Sequence, residues 1–539
     1  MGVKRKIPVS LGKAFGLVTQ KAQEGEGRIL MSNLSEFYRA IEAGEDLATL
    51  KGRACARTDW GVYPDSLHVA AGTLLFMARN KATKVLVAVE DGPIYQELEG
   101  EATTGSALKV KVCPLSVANS QVIRRYFPFT NPVALANCKT TIGLGDRLGL
   151  ASGGHLRLLK QYPSVRPVLA QQSMRELTLT NRDYGQVLAD AVWAVFQEDY
   201  QLGFGADGDH LKTAADIKMA LDFGYTMITL DCSDHITNLA PDRTAEVEER
   251  YAALPSTERV RLEQTFLGKT FALKTGISLS FTAEALKYNV AVYQEAIAFA
   301  IKIYQELLKP LDGKVDFEVS IDETMTPTAP LSHFFVAAQL VAAGVKVSSM
   351  APRFCGEFQK GINYRGDLKQ FSAEYRDHTK IADHFGYKLS IHSGSDKFDV
   401  FPVIGRESKG HVHVKTAGTN WLEAIKVIIA AEPALYREIH GFALQHLAEA
   451  RQYYHISADP ERVPALADLS DDQLPALMEA DDARQIIHIT YGLILMAKEA
   501  SGRYLFRDRI YACLLQNEEL YYRFLGEHIG KHLTTLDLS

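Results

Sequence analysis

The sequence predicts an α/β protein: a (β/α)8 TIM-like barrel, with an α/β elaboration before it and a helical extension after it. Three observations carry that expectation. Eight short apolar runs recur between residues 140 and 418, each ending in polar or glycine residues, and helical stretches usually follow them. Residues 1–135 mix strand and helix signals without that regularity, and the tail from about 420 is almost wholly helical. Strands alternating with helices mean βα units on a parallel sheet, and eight units suggest closure. An open doubly wound sheet is the competing arrangement, which the count disfavours.

The runs are TTIGLG (140–145), PVLAQQS (167–173), QLGFGADGD (201–209), YTMITLDCSD (225–234), DFEVSIDET (316–324), VKVSSMAPR (345–353), YKLSIHSG (387–394) and HVHVKTAG (411–418). The long gap after the fourth holds TAEVEERYAALPSTERVRLEQTFLGK and NVAVYQEAIAFAIKIYQELLK, both with helical spacing. They read as an insertion near 240–290 followed by a regular barrel helix. In the first region SEFYRAIEAGEDLATL has helical spacing, while ATKVLVAVEDG and ALKVKVCPL read as strands. In the tail AEARQYYHI and ARQIIHITYGLILMAKEA place apolar residues three to four apart, as an amphipathic helix does. The chain therefore divides into an N-terminal α/β domain (1–135), a catalytic barrel (136–420) and a helical C-terminal extension (421–539).

Composition narrows the functional class. Hydrophobic residues are 47% and charged residues 23%, close to the soluble globular average. A net charge of −6 gives no electrostatic footprint for nucleic acid. Six scattered cysteines form no CxxC pair, which argues against a zinc ribbon and a secreted disulfide scaffold. The first residues, MGVKRKIPVSLGKAFG, are basic but lack an apolar signal core, and no stretch approaches a membrane span. The expectation is a cytoplasmic enzyme acting on a small molecule, with neither nucleic acid nor membrane as partner and with a homo-oligomer allowed.

In such barrels the active site lies where strands end and βα loops begin. Those ends are polar here. They carry Asp146 and Arg147; Gln171, Gln172 and Ser173; Asp207, Asp209 and His210; Asp231, Asp234 and His235; Asp322 and Glu323; Arg353; His392, Asp396 and Lys397; and His413 with Lys415. Any one of these aspartates alone would be read as a turn residue or helix cap. Together, carboxylates and imidazoles from separate strands suit a divalent metal. Oxygen and nitrogen ligands without thiolate fit manganese, cobalt, nickel or catalytic zinc.

Alternation along the strands points side chains. Leu389 and Ile391 suit the helix-facing side, which turns Ser390 and His392 inward. Val412 and Val414 likewise turn His411, His413 and Lys415 inward, and Val319 and Ile321 turn Glu318, Ser320 and Asp322 inward. His411, deepest in its strand, reads as a hydrogen-bonded core residue. In GADGDHLKT (205–213), Gly205 and Gly208 are expected to bend the backbone, Asp207 to serve the turn, and Thr213 with Asp216 to cap the next helix. GLGDRLGLASGG reads as a tight turn, being neither a GxGxxG nor a Walker loop. His488 reads as core, and the pairs Tyr453–Tyr454 and Tyr521–Tyr522 as packing at helix surfaces.

Several long strings resemble one family. GDRLGLASGGHLRL, GADGDHLKT, TLDCSDHI, EVSIDETMTPTAPLSHFFVAAQL, APRFCGEFQKGINYRGD, LSIHSGSDKF and HVKTAGTNWLEA are similar to tagaturonate epimerases over roughly residues 135–460. The resemblance implies a metal-dependent barrel enzyme that interconverts fructuronate and tagaturonate in hexuronate catabolism, with relatives accepting fructose and tagatose. These ketoses differ at a carbon β to the ketone. A base that only enolises acts at the α carbon, so retro-aldol cleavage and re-addition is the preferred route. Hydride transfer would need a nicotinamide, for which the sequence carries no fingerprint.

On that chemistry His210, Glu323 and His392 are expected to hold the metal, with His413 in reserve. Asp209 and Asp322 are the acid/base candidates. Arg147, Gln171, Arg353, Lys397 and Lys415 are the substrate-binding candidates, the cations gripping a carboxylate. A class II-type aldolase or an aldose–ketose isomerase on the same barrel is the runner-up, and a non-catalytic sugar-binding protein is a more distant reading.

Overall fold

The computed structural model describes residues 39–41, 43–53, 56, 57, 60–80, 82–102, 109–240, 242–416 and 418–538. It contains two compact units. One comprises the described residues up to Thr130 together with Val192–Gln201, the other Asn131–Ala191 and Leu202 onward.

In the first unit an antiparallel sheet runs in the order 56–57, 60–62, 73–79, 84–89, 110–114, 101–102, and His68–Ala70 pairs with Thr73–Arg79. Leu74, Phe76 and Ala78 on one strand and Val85, Val87 and Val89 on the next share a single buried cluster, the period-two pattern of a strand with one core face. The helical spacing read at 35–50 becomes two helical pieces, residues 39–41 and Leu47–Arg53, with a turn at Gly44 (φ 71°) between them. Residues 35–38 of that segment, and the basic first residues, lie outside the described residues.

The second unit holds the barrel and the helices that follow it. The barrel strands are β1 (Thr140–Gly143), β2 (Val165–Ser173), β3 (Gly205–Leu211), β4 (Met227–Asp231), β5 (Asp316–Ile321), β6 (Ser349–Pro352), β7 (Lys388–Ile391) and β8 (Val412–Lys415). Each pairs in parallel with the next, and β8 pairs with β1 to close the ring. All eight apolar runs supply a strand. Between β4 and β5 lie helices Thr244–Ala253 and Ser256–Phe266, a hairpin of Thr270–Ala272 with Ser278–Ser280, and the long helix Ala283–Ile303. The hairpin is an addition to the helical insertion expected there. At the N-terminal end of the ring, Asp316 accepts from the amides of Leu135 (2.5 Å) and Ala136 (3.0 Å), while Lys388 donates to the carbonyls of Leu135 and Cys138.

The loop after β1 is a turn, as its glycines suggest. The Asp146 carboxylate accepts from the amides of Leu148 (3.0 Å), Gly149 (2.8 Å) and Ala151 (2.5 Å), and Gly149 takes φ 73°. The next helix, Ser152–Leu159, packs on Glu518–Thr535 of the helical extension; a Cβ on Gly154 would meet Tyr522 at 2.9 Å. Trp421, Ile425, Ile428, Tyr436, Ile487 and Leu525 of the extension share one buried cluster with Leu148 and Ala151 from the loop after β1. Tyr521 and Tyr522 are buried in that cluster. Among the described residues no helix is long and apolar enough to cross a membrane.

Candidate active site

The end of β3 departs from a regular strand. Gly205–Leu211 is extended, and neither Gly205 nor Gly208 has a positive φ, so the expected glycine turn is absent. The glycines serve close packing instead. A Cβ on Gly208 would lie 2.9 Å from Leu211 Cδ1 and 3.1 Å from Ala220 Cβ. The irregular residue is His210, at φ 54°, inside a register shift between Gly208 and Leu211 against β4. Alternation alone would put Asp209 and His210 on opposite faces. A bulge re-aims a side chain, and here both residues line one cavity. A non-glycine residue in this conformation costs about 1–3 kcal/mol, a strain typical of functional sites. Thr213 caps the following helix, accepting from the Asp216 amide at 3.1 Å.

Inside the ring, inward residues of β3, β4, β5 and β8 meet. Lys415 Nζ lies 3.1 Å from Asp207, 2.6 Å from Asp209, 2.8 Å from Glu318 and 2.6 Å from Thr229 Oγ1. Asp207 is therefore a buried barrel residue, in place of the turn residue expected. Burial disfavours its charge more than Lys415 favours it, and its pKa rises to about 6. Burial opposes ionisation of Asp209 and Glu318 too. Lys415, with His210 for the first and His392 for the second, outweighs it and holds both well below the usual carboxylate range.

Glu318 also accepts from His392 Nε2 at 2.8 Å, which fixes that ring and turns Nδ1 toward Asp322 Oδ2, 3.0 Å away. That contact is an ion pair, which leaves Nδ1 and Oδ2 facing each other across the site. His210 Nδ1 lies 3.0 Å from Asp209, and its ring centre is 4.7 Å from that of His392. One ligand atom each from His210, Asp322 and His392 falls within 4.8 Å of the others.

These residues fit a divalent cation on three counts. Two imidazoles and a carboxylate form a familiar donor set. Each imidazole has a carboxylate on one nitrogen, the outer support that orients a metal-binding histidine. Asp207, Asp209 and Glu318 crowd the one ammonium of Lys415, and Asp322 lies against His392, an excess of carboxylates that a cation would offset. The same surplus pushes the His392 pKa up to about 10 against burial, chiefly through Asp322.

The cavity over this group has a volume of about 390 Å³, the scale of a small-molecule site. Its walls include Arg147, Arg353, Lys360, Tyr454 and His488.

A family model described as tagaturonate epimerase matches residues 63–536. This chain belongs to the tagaturonate epimerase family. It is therefore an enzyme, an isomerase of the epimerase class. The tagaturonate/fructuronate epimerase of Thermotoga maritima is 42% identical over 482 residues, covering 88% of this chain and 97% of the relative. Crystal structures of the fructuronate-tagaturonate epimerase of Cohnella laeviribosi superpose with TM-score 0.86. Its form with one glycerol is 50% identical, covering 93% of this chain and 99% of that one; its native form is 48% identical, covering 94% and 99%. The family match begins well before residue 135, so part of the N-terminal region belongs to it.

Of the residues singled out in the sequence, the enzyme brings Arg147, Gln171, Asp209, His210, Asp322, Glu323, Arg353, His392 and Lys415 to the cavity. Glu323, read as a ligand, is exposed at the cavity and stands outside the three-residue group. Asp322, read as an acid/base, occupies the carboxylate position in that group. Parity is the reason: Asp322 continues the inward series of Glu318 and Ser320, and Ser320 Oγ hydrogen-bonds its carboxylate. Lys397 is not brought to the cavity. Its ammonium donates to the carbonyls of Gln359, Ile362 and Ser395 at 2.6–2.9 Å, and burial lowers its pKa to about 7. It anchors a loop instead of gripping substrate. Lys415 lines the cavity, but three carboxylates already surround its ammonium.

His413 is a buried core residue. Its Nδ1 lies 2.8 Å from Thr141 Oγ1, and burial lowers its pKa to about 3. His411 is half-buried, 3.6 Å from Asp383, so it differs from the buried core residue expected. Sequence reasoning missed His488, Lys360 and the Tyr453–Tyr454 pair, all of which line the cavity. A polar residue on an apolar helix was the one available signal for His488.

Proposed function

We propose that the enzyme interconverts tagaturonate and fructuronate, with a divalent cation held by His210, Asp322 and His392. The grouping of those side chains at the ends of three barrel strands, in a tagaturonate epimerase family member, carries the reading. Manganese, cobalt, nickel and zinc all accept such donors. A bound cation supplies Lewis-acid polarisation of the substrate's ketone oxygen.

The chain's own groups do the rest. Asp209 lines the cavity and takes the proton of the β-hydroxyl as the bond between the α and β carbons breaks. The β carbon becomes an aldehyde, and the bonding electrons pass to the α carbon as an enediolate. Rotation of the aldehyde and re-addition on its other face return the carbon–carbon bond, and Asp209 returns the proton to the inverted alkoxide. Lys415 holds Asp209 at 2.6 Å throughout. The enclosing loops must keep the three-carbon fragments from escaping. Such a step belongs to hexuronate catabolism, and the cytoplasm is its natural setting.

The test is turnover of fructuronate followed by chromatographic separation of the two ketohexuronates. His392→Ala should abolish both bound metal and turnover. Full metal occupancy in that variant would overturn the ligand assignment. Free three-carbon products would favour an aldolase over an epimerase.

A further inference from the structure

Among the basic side chains of the cavity wall that the reaction just described does not use, three gather on one side. Arg147 follows β1, Lys360 lies in the loop after β6, and His488 sits on helix Asp481–Ile489 of the helical extension. Arg147 is buried. Its Nε and Nη2 bind Glu176 Oε1 at 2.9 and 2.6 Å, and its guanidinium stacks on Tyr491 at 3.8 Å. Its Nη1 is buried with no partner. His488 is 1% exposed, and neither ring nitrogen has a partner. A buried polar atom left unpaired costs about 1–3 kcal/mol, so three in one wall call for a polar occupant.

The wall is also built to hold its shape. Gly418 leaves the gap: a Cβ there would stand 2.7 Å from His488 Nε2 and 3.6 Å from Arg147 Nη2. The loop bearing Lys360 is fastened from two sides. Arg484 Nε donates to Gly361 O at 2.8 Å, Gln485 Nε2 to Lys360 O at 3.2 Å, and Lys397 Nζ to Gln359 O and Ile362 O. Two of those clamps come from the helix that carries His488.

Charge selects the occupant. Glu176 offsets Arg147, which leaves the Lys360 ammonium as a surplus. Burial, with Arg147 nearby, lowers the Lys360 pKa despite Glu176, and burial with the charges of Arg147 and Lys360 keeps His488 well below the usual imidazole range. A neutral imidazole offers one N–H, Arg147 Nη1 offers another, and Lys360 brings an unbalanced positive charge. An anion with two oxygens in one plane satisfies all three.

We propose that Arg147, Lys360 and His488 form the subsite for the substrate's terminal carboxylate, so that the helical extension supplies a specificity-determining residue. This rests on a ketohexuronate being the substrate. It separates the uronate from a neutral ketohexose, which has a hydroxymethyl group at that end and leaves the Lys360 charge unmet.

The test uses metal-loaded enzyme and two ligands, fructuronate and fructose, with Lys360→Met, His488→Leu and His488→Gln. The fructuronate Kd by calorimetry should rise at least tenfold in Lys360→Met and His488→Leu. The preference in kcat/KM for fructuronate over fructose should shrink by a similar factor. His488→Gln, which keeps a donor, should recover most of the loss, and metal content should stay at the wild-type level. Lys360 is half-buried, so its variant carries the test if His488→Leu fails to fold. A fructuronate Kd within twofold of wild type in Lys360→Met overturns the proposal, and so do equal losses on both sugars. Wild-type enzyme that binds fructuronate without epimerising it would instead overturn the proposed function and leave the subsite standing.

Discussion

Replacing Lys415 by Met removes the one ammonium among Asp207, Asp209 and Glu318. At an effective dielectric of about 20, unit charges about 3 Å apart attract by roughly 5–6 kcal/mol. Three such contacts do not sum, because the carboxylates repel one another and take up protons once the ammonium is gone. Breaking a buried ion pair costs about 3–5 kcal/mol. Set against a total stability of about 5–15 kcal/mol, the loss is roughly a fifth or more of what holds the fold. Its pH dependence has a definite sign. Burial already raises Asp207 to about 6 with Lys415 present. Without Lys415, burial pushes all three carboxylates upward from their wild-type values, so the folded variant binds extra protons relative to wild type. Its stability falls as pH rises from the ordinary carboxylate range through those raised values. Urea unfolding of metal-free protein should therefore show a deficit of about 3–5 kcal/mol near pH 8 and a smaller one near pH 5.5. A deficit under about 1 kcal/mol near pH 8, or one that grows on acidification, would refute this account.

Other perturbations separate the remaining roles. Asp322→Asn should strip bound metal while Glu323→Gln keeps it; metal analysis showing the reverse would restore Glu323 as the ligand. Gly208→Ala overpacks against Leu211 and Ala220 and should cost about 1–3 kcal/mol, read as a lower Tm; an unchanged Tm would show the helix gives way freely. Burial pushes the Glu423 carboxyl up to about 7 despite Lys426, so folding favours its protonated form and stability is lost between its ordinary pKa and 7. Glu423→Gln should thus gain on wild type as pH rises from 5 to 8, and a gap that narrows over that range would contradict the assignment.

The barrel was legible because its strands are short apolar runs with polar ends, and a parallel ring buries both faces of each. Alternation then placed Glu318, Asp322, His392 and Lys415 inward, where they meet. The exceptions have local causes. Period-two reasoning cannot foresee the bulge that turns His210 beside Asp209, because nothing in GADGDHLKT names the residue that takes positive φ. Glycine was read as backbone freedom, whereas Gly208 is small because Ala220 and Ile228 lie against it. Lys397 sits at a strand end like a ligand, yet three carbonyls converge on its ammonium. His488 lies far along the chain among Ile486, Ile487 and Ile489 of an amphipathic helix, and only the folded extension brings it to the cavity.

The central claim is a metal-dependent epimerisation at His210, Asp322 and His392. It is tested most directly by stripping the protein with a chelator, reloading it with manganese, cobalt, nickel or zinc in turn, and incubating each preparation with fructuronate. Tagaturonate should appear on chromatography only after reloading, with about one cation bound per chain. Equal tagaturonate formation by the stripped protein would contradict the account.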